Sequence, residues 1–417
     1  MNIFLGSFDT GEGARSLVQN GSGVFLSDEE LPAPTASLWE RRDATIGGGA
    51  VGGEGVFDFR YGPFTGGSPE AGIFHYATYG EKILSVQIDL SMKHRGIEEG
   101  LVGRGLLDAA NEAARLCGNF TVAHSLAFCR AAEGVADIEV GRDEERLRLI
   151  ALELERVYNH LYVLWRLAVA SAQKVLASLY GELFERALRL TEVLSGRRGM
   201  RGFVIPGGVA SRPSGAIDGR LAGEIVREIV TIRNCFQKRH RLSLSSRNYL
   251  DRLHKTATVS GELALRTGLT GPSLRATGLG WDLRSAETLL RGFTPRTEKE
   301  GDAFARMEVR AMEVMDSCSL VAELAGDLSV DLPSDESGAE IKGDELSGGE
   351  GLGFAESASG SIVWALKLDR GRIAGAHVSP PSLFGFQAYA ESVVGNIFTD
   401  VPFAIESFGL SFADAGR

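Results

Sequence analysis

Four cysteines and seven histidines are spread over 417 residues, and three of them share one stretch, RLCGNFTVAHSLAFC (115–129): Cys117, His124 and Cys129. Thiolate and imidazole are ligands for first-row metals, so the question is whether these three converge. Their spacings are seven and five residues. A helical face repeats at three, four, seven or eight, so Cys117 and His124 can share a face while Cys129 falls off it. The chain has no further cysteine pair to complete a shell, and free cysteines are among the most buried residue types. Packed core is therefore the favoured reading of the spacing.

Two other stretches carry groups able to move protons. KHRGIEEG (93–100) places His94, Arg95 and Glu98 within one helical turn, with His94 and Glu98 at i, i+4. Burial raises a carboxylate pKa and neighbouring cations lower it, so such a cluster can act as a proton relay. Glu98 is expected to be raised unless Arg95 faces it; a plain charged helix start fits the spacing equally well. ELERVYNHL (153–161) sets Arg156 and His160 at i, i+4 beside Glu153 and Asn159. These can pair with a neighbouring helix or subunit, or form a solvated stripe. RYGPFTGGSPEAG (60–72) lacks the spacing of a phosphate-binding loop and reads as a turn between strands.

The elements that must position these residues change character along the chain. Residues 1–90 contain short β-prone runs between glycine-rich turns, which predict a small antiparallel sheet. Helical periodicity takes over in 91–332, notably over 105–200, and resumes over about 219–256 and 297–326. The run 143–195 is too long for one ordinary helix, so it predicts two, broken around 170–173, with Asp143 as the N-terminal cap and Gly196 as the stop. Residues 333–353 (LPSDESGAEIKGDELSGGEGL) are acidic and glycine-rich and predict an exposed loop. A β-hairpin with DRG at its turn and a short helix near 383–396 follow in 354–417. The fold class is mainly α (α+β): one large domain with a long-helix core and small antiparallel β-elements near both ends.

Composition narrows the function. With 55 acidic and 44 basic side chains the net charge is -11, and no basic block is long enough to neutralise several phosphates, which speaks against nucleic acid. No basic-then-apolar leader opens the chain, and the longest apolar run (161–180) is interrupted by Arg166 and Lys174, so no membrane span is expected. Scattered cysteines without a CxxC pair point to a reducing compartment and against structural zinc.

Taken in order, GPFTGGSPEAGIFHY, KHRGIE, RLCGNFTVAHSLAFCRAAE, ELERVYNHL, SGRRGMRGFVIPGGV, TGLTGPSLRATGLGWDLR, GDAFARMEVRAMEVMDS, GEGLGFAESASG, PPSLFGF and DVPFAIESFGLSFADAGR cover most of the chain. Their order and spacing resemble the large subunit of nickel-iron hydrogenases, especially the energy-converting membrane-bound branch, and its relative the D (49 kDa-type) subunit of respiratory complex I. Hydrogenases of that family hold their metals with two CxxC pairs. The resemblance aligns the first with Cys117 and Phe120, and the second with Gly409 and Phe412. It aligns the family's Arg over the metal with Ser359. It places the His and Tyr that bind a quinone headgroup in complex I at Thr65 and Gly118. Phe and Gly donate no electron pair to a metal, so the resemblance implies no bound nickel-iron centre and no active hydrogenase.

The resemblance further implies a peripheral subunit on the cytoplasmic side of a membrane. It would dock an iron-sulfur small subunit and membrane ion-translocating subunits, with the cluster held by the partner and no cofactor bound directly. Electrons would pass to a quinone or another acceptor in the altered cavity, whose candidate residues are Thr65, Cys117, Gly118, Phe120, His124, Ser359 and Phe412. His94, Arg95 and Glu98 are the proton-relay candidates. The alternative is a redox-inactive structural or coupling subunit.

Overall fold

Four long helices form the centre of the molecule because each carries an apolar surface that another can cover. The computed structural model describes residues 45–49, 51–65, 70–213, 217–326, 328 and 348–417. It also describes the backbone of three strands, β1 (Ile3–Asp9), β2 (Ala14–Asn20) and β3 (Gly23–Ser27).

Strands β4 (Thr45–Gly47), β5 (Val56–Tyr61), β6 (Ile73–Tyr79) and β7 (Lys82–Asp89) form an antiparallel sheet in the order β4-β7-β6-β5. The short helices α1 (Ile97–Leu101) and α2 (Leu106–Ala113) then lead to α3 (Thr121–Ala136), α4 (Arg142–Ala170) and α5 (Lys174–Ser195). A two-stranded turn, β8 (Val204–Ile205) and β9 (Gly208–Val209), precedes α6 (Gly219–Leu244), α7 (Arg247–Leu253), α8 (Gly261–Arg266), α9 (Gly271–Arg275) and α10 (Ala303–Gly326). The chain closes with β10 (Gly349–Glu356), β11 (Ser361–Asp369), β12 (Arg372–Ser379), α11 (Pro381–Ser392), α12 (Val401–Phe408) and α13 (Phe412–Gly416).

The expected break between the two long helices is present: α4 ends at Ala170, and Ala172 turns the chain in the left-handed region. Gly196 stops α5 with φ 72°, a conformation that costs glycine little. The cap at the start of α4 differs from expectation. Gly141 is the N-cap, and the Asp143 carboxylate accepts from Arg146 one turn on. The helix expected from 297 starts at Ala303, after Gly301 turns the chain with φ 65°.

The DRG hairpin forms as expected. Arg370 (φ 49°) and Gly371 (φ 70°) supply the two positive φ values of a type I′ turn between β11 and β12. The exposed-loop expectation for 333–353 needs correction where it can be followed. Residues 333–347 lie outside the described residues, and 349–353 belong to β10. Their glycines serve packing. A Cβ on Gly353 would lie 2.0 Å from the Ala127 carbonyl oxygen, and one on Gly351 2.5 Å from that of Ala131. Both let β10 lie directly on α3, whereas composition alone suggested a solvated loop.

One core joins α2 to α6, α10 and one face of the β10-β11-β12 sheet, with Trp364 fully buried at its centre. A second core packs β6 and β7 against α11, α12 and α13 through Phe74, Tyr76, Phe386, Tyr389 and Phe412. The candidate site lies where these cores meet.

Candidate functional site

A cavity of about 40 Å³ opens between the two cores. Asn119 and Phe120 come from the turn before α3, and Asn159, Tyr162 and Val163 from α4. Glu406, Gly409 and Phe412 come from the C-terminal helices, with Ser359, Phe386 and Glu70 completing the wall. At roughly 10–15 Å³ per ordered water it has room for about three waters, and it is well short of the ~150 Å³ that receives a benzene ring. A quinone ring therefore does not fit while the walls stay in place.

The positions that the resemblance aligns with metal ligands are packed. Phe412 lies 4.6 Å from Phe386 and meets Phe74 edge-on at 5.5 Å. A Cβ on Gly72 would sit 2.1 Å from the Phe412 ring. Gly409 has φ 64°, and a Cβ there would lie 2.6 Å from the Arg310 guanidinium. No side chain of any kind fits at Gly409 unless Arg310 moves. Cys117 is buried, its thiol donates to Ser411 Oγ at 3.3 Å, and burial pushes its pKa well up, away from the thiolate a metal needs. One buried thiol beside Phe120, Gly409 and Phe412 does not fit a nickel-iron centre.

Of the cavity residues read from the sequence, Phe120, Ser359 and Phe412 line it, and Ser359 Oγ donates to the Gly409 carbonyl at 2.7 Å. Cys117 stands two hydrogen bonds behind the wall, since the Ser411 hydroxyl that accepts from it donates in turn to Glu70 at 2.9 Å. His124 does not face the cavity. Its Nδ1 accepts from Trp364 Nε1 at 3.3 Å, which leaves the proton on Nε2 to donate to Asp414 at 2.9 Å. Cys129 is packed core. Thr65 and Gly118 are not among the lining residues, although open space surrounds Gly118 where a larger side chain would extend.

His94, Arg95 and Glu98 do not form the expected cluster. Gly96 takes the left-handed conformation (φ 63°) and α1 begins only at Ile97, so the three lie on no common helical face. The His94 ring bonds the Gly416 carbonyl at 2.9 Å. Arg95 donates to the carbonyls of Arg115, Leu116 and Ala413, tying the Cys117 turn to α13. Glu98 turns the other way, to Val378 N at 2.7 Å, His377 Nδ1 at 2.9 Å and Arg417 at 3.5 Å. Burial raises its pKa, but these bonds outweigh burial and hold it below the usual value. Of the two effects that the sequence leaves open at Glu98, the lowering one wins, through His377, Arg417 and Val378 N rather than Arg95. The three residues brace the C-terminal segment that carries Phe412.

Behind the cavity, Glu153, Arg156 and His160 of α4 are buried rather than solvated. Glu313 accepts from Arg275 at 2.9 Å and from His160 Nε2 at 3.0 Å, and pairs with Arg284 at 3.3 Å. Arg275 also reaches Asp282 and Glu356, each at 3.0 Å, and Glu153 pairs with Arg156 and Arg284. Burial pushes the His160 pKa down to about 3, so the ring is neutral, and its Nδ1 accepts from Arg310 at 3.2 Å. Arg310 then donates to the Ala358 and Phe408 carbonyls, beside Ser359 and Gly409. The network thereby fixes the cavity rim to the helix bundle. A buried array of this kind needs every member paired, because one stranded charge costs more than a whole pair yields.

Glu70, Asn119, Asn159, Tyr162 and Glu406 line the cavity and were not legible as a set. By sequence the loop holding Glu70 reads as a turn, and Asn159 as a polar neighbour of Arg156 and His160. Proline beside a lone carboxylate in a glycine-rich loop (SPEAG) was the available signal for Glu70.

Comparison with known proteins agrees with this architecture. Residues 179–337 match the family described as respiratory-chain NADH dehydrogenase, 49 kDa subunit. The chain is similar both to membrane-bound hydrogenase large subunits and to the D subunits of NADH-quinone oxidoreductases. It is 28% identical over 368 residues to the alpha subunit of the membrane-bound hydrogenase of Pyrococcus furiosus, covering 83% of this chain and 84% of that one. It is 27% identical over 249 residues to a D subunit of the NADH-quinone oxidoreductase of Chloroherpeton thalassium, covering 58% and 56%. It is 31% identical over 257 residues to the H subunit of the chloroplastic NAD(P)H-quinone oxidoreductase of Oenothera argillicola, covering 58% and 62%. The chain thus spans less than two thirds of these last two relatives. A chain in the structure of the membrane-bound sulfane sulfur reductase, an archaeal respiratory membrane complex, shares the fold. Its TM-score is 0.79 at 22% identity, covering 87% of this chain and 99% of that one. Among the described residues no helix is long and apolar enough to cross a membrane.

Proposed function

We propose that the chain is the peripheral large subunit of a membrane-associated, complex I-like or energy-converting hydrogenase-like oxidoreductase that has given up its nickel-iron site. In this reading it rests on membrane ion-translocating subunits at the cytoplasmic face. Electrons arrive from an iron-sulfur cluster in an adjacent subunit and pass to an acceptor at the altered cavity. The observation that carries the reading is the pairing of an intact family scaffold with ligand positions filled by Phe120, Gly409 and Phe412. What the chain supplies at the cavity is polar: the Glu70 carboxylate accepts from Ser411 and Ala413 N, and the Tyr162 hydroxyl stands beside the Glu406–Arg166 pair. A quinone reaches the interior only if the Phe120 and Phe412 walls part; otherwise the acceptor is smaller or meets the rim.

The test is reduction of a short-chain quinone by the purified assembly once its clusters are reduced. Activity that falls at least about tenfold in Glu70→Gln supports a reacting cavity, since a positioned group that gives or takes a proton contributes ~10²–10⁴ to such a step. No quinone reduction, with no effect of Glu70→Gln on any electron transfer through the assembly, would remove the reading. The second reading, a coupling subunit without redox chemistry of its own, is favoured by the small cavity volume. A map of the assembly with a quinone ring between Phe120 and Phe412 would dispose of it.

A further inference from the structure

Glu155 differs from every other fully buried carboxylate among the described residues. Glu153, Asp282, Glu313 and Glu356 each face arginine, and Asp414 faces His124. Glu155 is 1% exposed and has no cation within ion-pair distance. Its two oxygens instead accept from the first turn of α3, Val122 N at 2.6 Å and Ala123 N at 3.0 Å. That turn follows directly on Asn119 and Phe120 of the cavity wall. Asn159 locks the same corner, its amide donating to both the Asn119 and the Glu155 carbonyls.

The ionised form suits this seat, because two N–H donors and the positive end of a helix stabilise an anion. Desolvation opposes it, and the balance raises the pKa to about 8. The groups facing Glu155 are few. Tyr158 Oη on α4 is 3.4 Å away, Arg156 on the same helix acts only at longer range, and α3 presents backbone N–H groups. The nearby Cys117 thiol has its own pKa pushed well up. When Glu155 takes a proton, one oxygen becomes a donor and a weaker acceptor, so the bond from Val122 N or from Ala123 N, whichever meets that oxygen, is weakened.

We infer that Glu155 is a proton-binding residue whose titration is transmitted through the first turn of α3 to the Asn119–Phe120 wall of the cavity. Electron arrival at the cavity would favour the proton-bound form, which makes Glu155 a means of coupling electron to proton movement. That use rests on the proposed function; the titration itself does not.

The experiment uses the full-length chain. Infrared spectroscopy follows the protonated-carboxyl band across neutral and alkaline pH, and amide hydrogen exchange, corrected for intrinsic rates, follows residues 117–124. The expected result is a band lost with a midpoint at about 8, with exchange in 117–124 changing about tenfold across the same transition. Both are to be absent in Glu155→Gln and retained, with a shifted midpoint, in Glu155→Asp. A transition that persists in Glu155→Gln, or none in the parent chain, would overturn the inference. A parent chain that titrates as expected within an assembly lacking quinone reductase activity would leave Glu155 standing and count against the redox reading alone.

Discussion

Glu313→Ala is expected to destabilise the chain by about 3–5 kcal/mol, the cost of stranding buried charge. Glu313 is 1% exposed and meets Arg275, Arg284 and His160 at 3.3 Å or less. Arg275 and Arg284, together with the His160 Nε2–H bond, hold its pKa well below the usual value despite burial, so it is ionised at neutral pH. Removing it leaves Arg275 with Asp282 and Glu356 and Arg284 with Asp282 and Glu153, so that the four buried arginines of the array, Arg156, Arg275, Arg284 and Arg310, face three carboxylates away from solvent. Glu313→Gln keeps the volume but not the charge, and is expected to lose a similar amount. Denaturant titration of the folded chain measures both. Replacing Glu350, whose partner Lys367 is largely exposed, serves as the control and is expected to change little. Equal losses at Glu313 and Glu350 would mean that the network has no special place in the fold.

Phe412→Ala carries the second large effect, and it acts on the cavity itself. The ring is 3% exposed and packed against Phe74, Phe386 and the bare backbone of Gly72. Deleting it is expected to cost about 3–5 kcal/mol, combining lost transfer free energy with the space left behind. The about 40 Å³ cavity should grow to on the order of 150 Å³, enough for a benzene-sized guest. Thermal melts with and without benzene read this directly. The variant should gain stability with guest concentration, as expected for a ligand that binds the native state alone, while the parent chain should not respond. A parent chain stabilised as much as the variant would show that the cavity already admits a ring.

The division into a β-rich start, a helical centre and a closing hairpin was legible because periodicity and turn chemistry are local signals. Gly196 and Gly371 show this well, since their left-handed conformations follow from residue type. Other features depended on partners distant in sequence. Arg156 and His160 read equally as a solvated stripe until α10 and the 356–360 segment enclosed them. Gly351 and Gly353 carry no sign that a helix lies on them. KHRGIE looked like one proton-relay cluster because helical spacing was applied across Gly96, where the helix has not yet begun. The ligand positions Phe120, Gly409 and Phe412 came from resemblance to a family. The geometry adds that Gly409 has no room for a side chain, a fact about Arg310 that spacing cannot express.

The central claim is that a metal site has become a packed and protonatable cavity, and elemental analysis of the purified assembly tests it most directly. The account predicts iron only in proportion to clusters held by partner subunits and nickel far below one atom per chain. One nickel per chain, retained through gel filtration and lost on replacing Cys117, would contradict it.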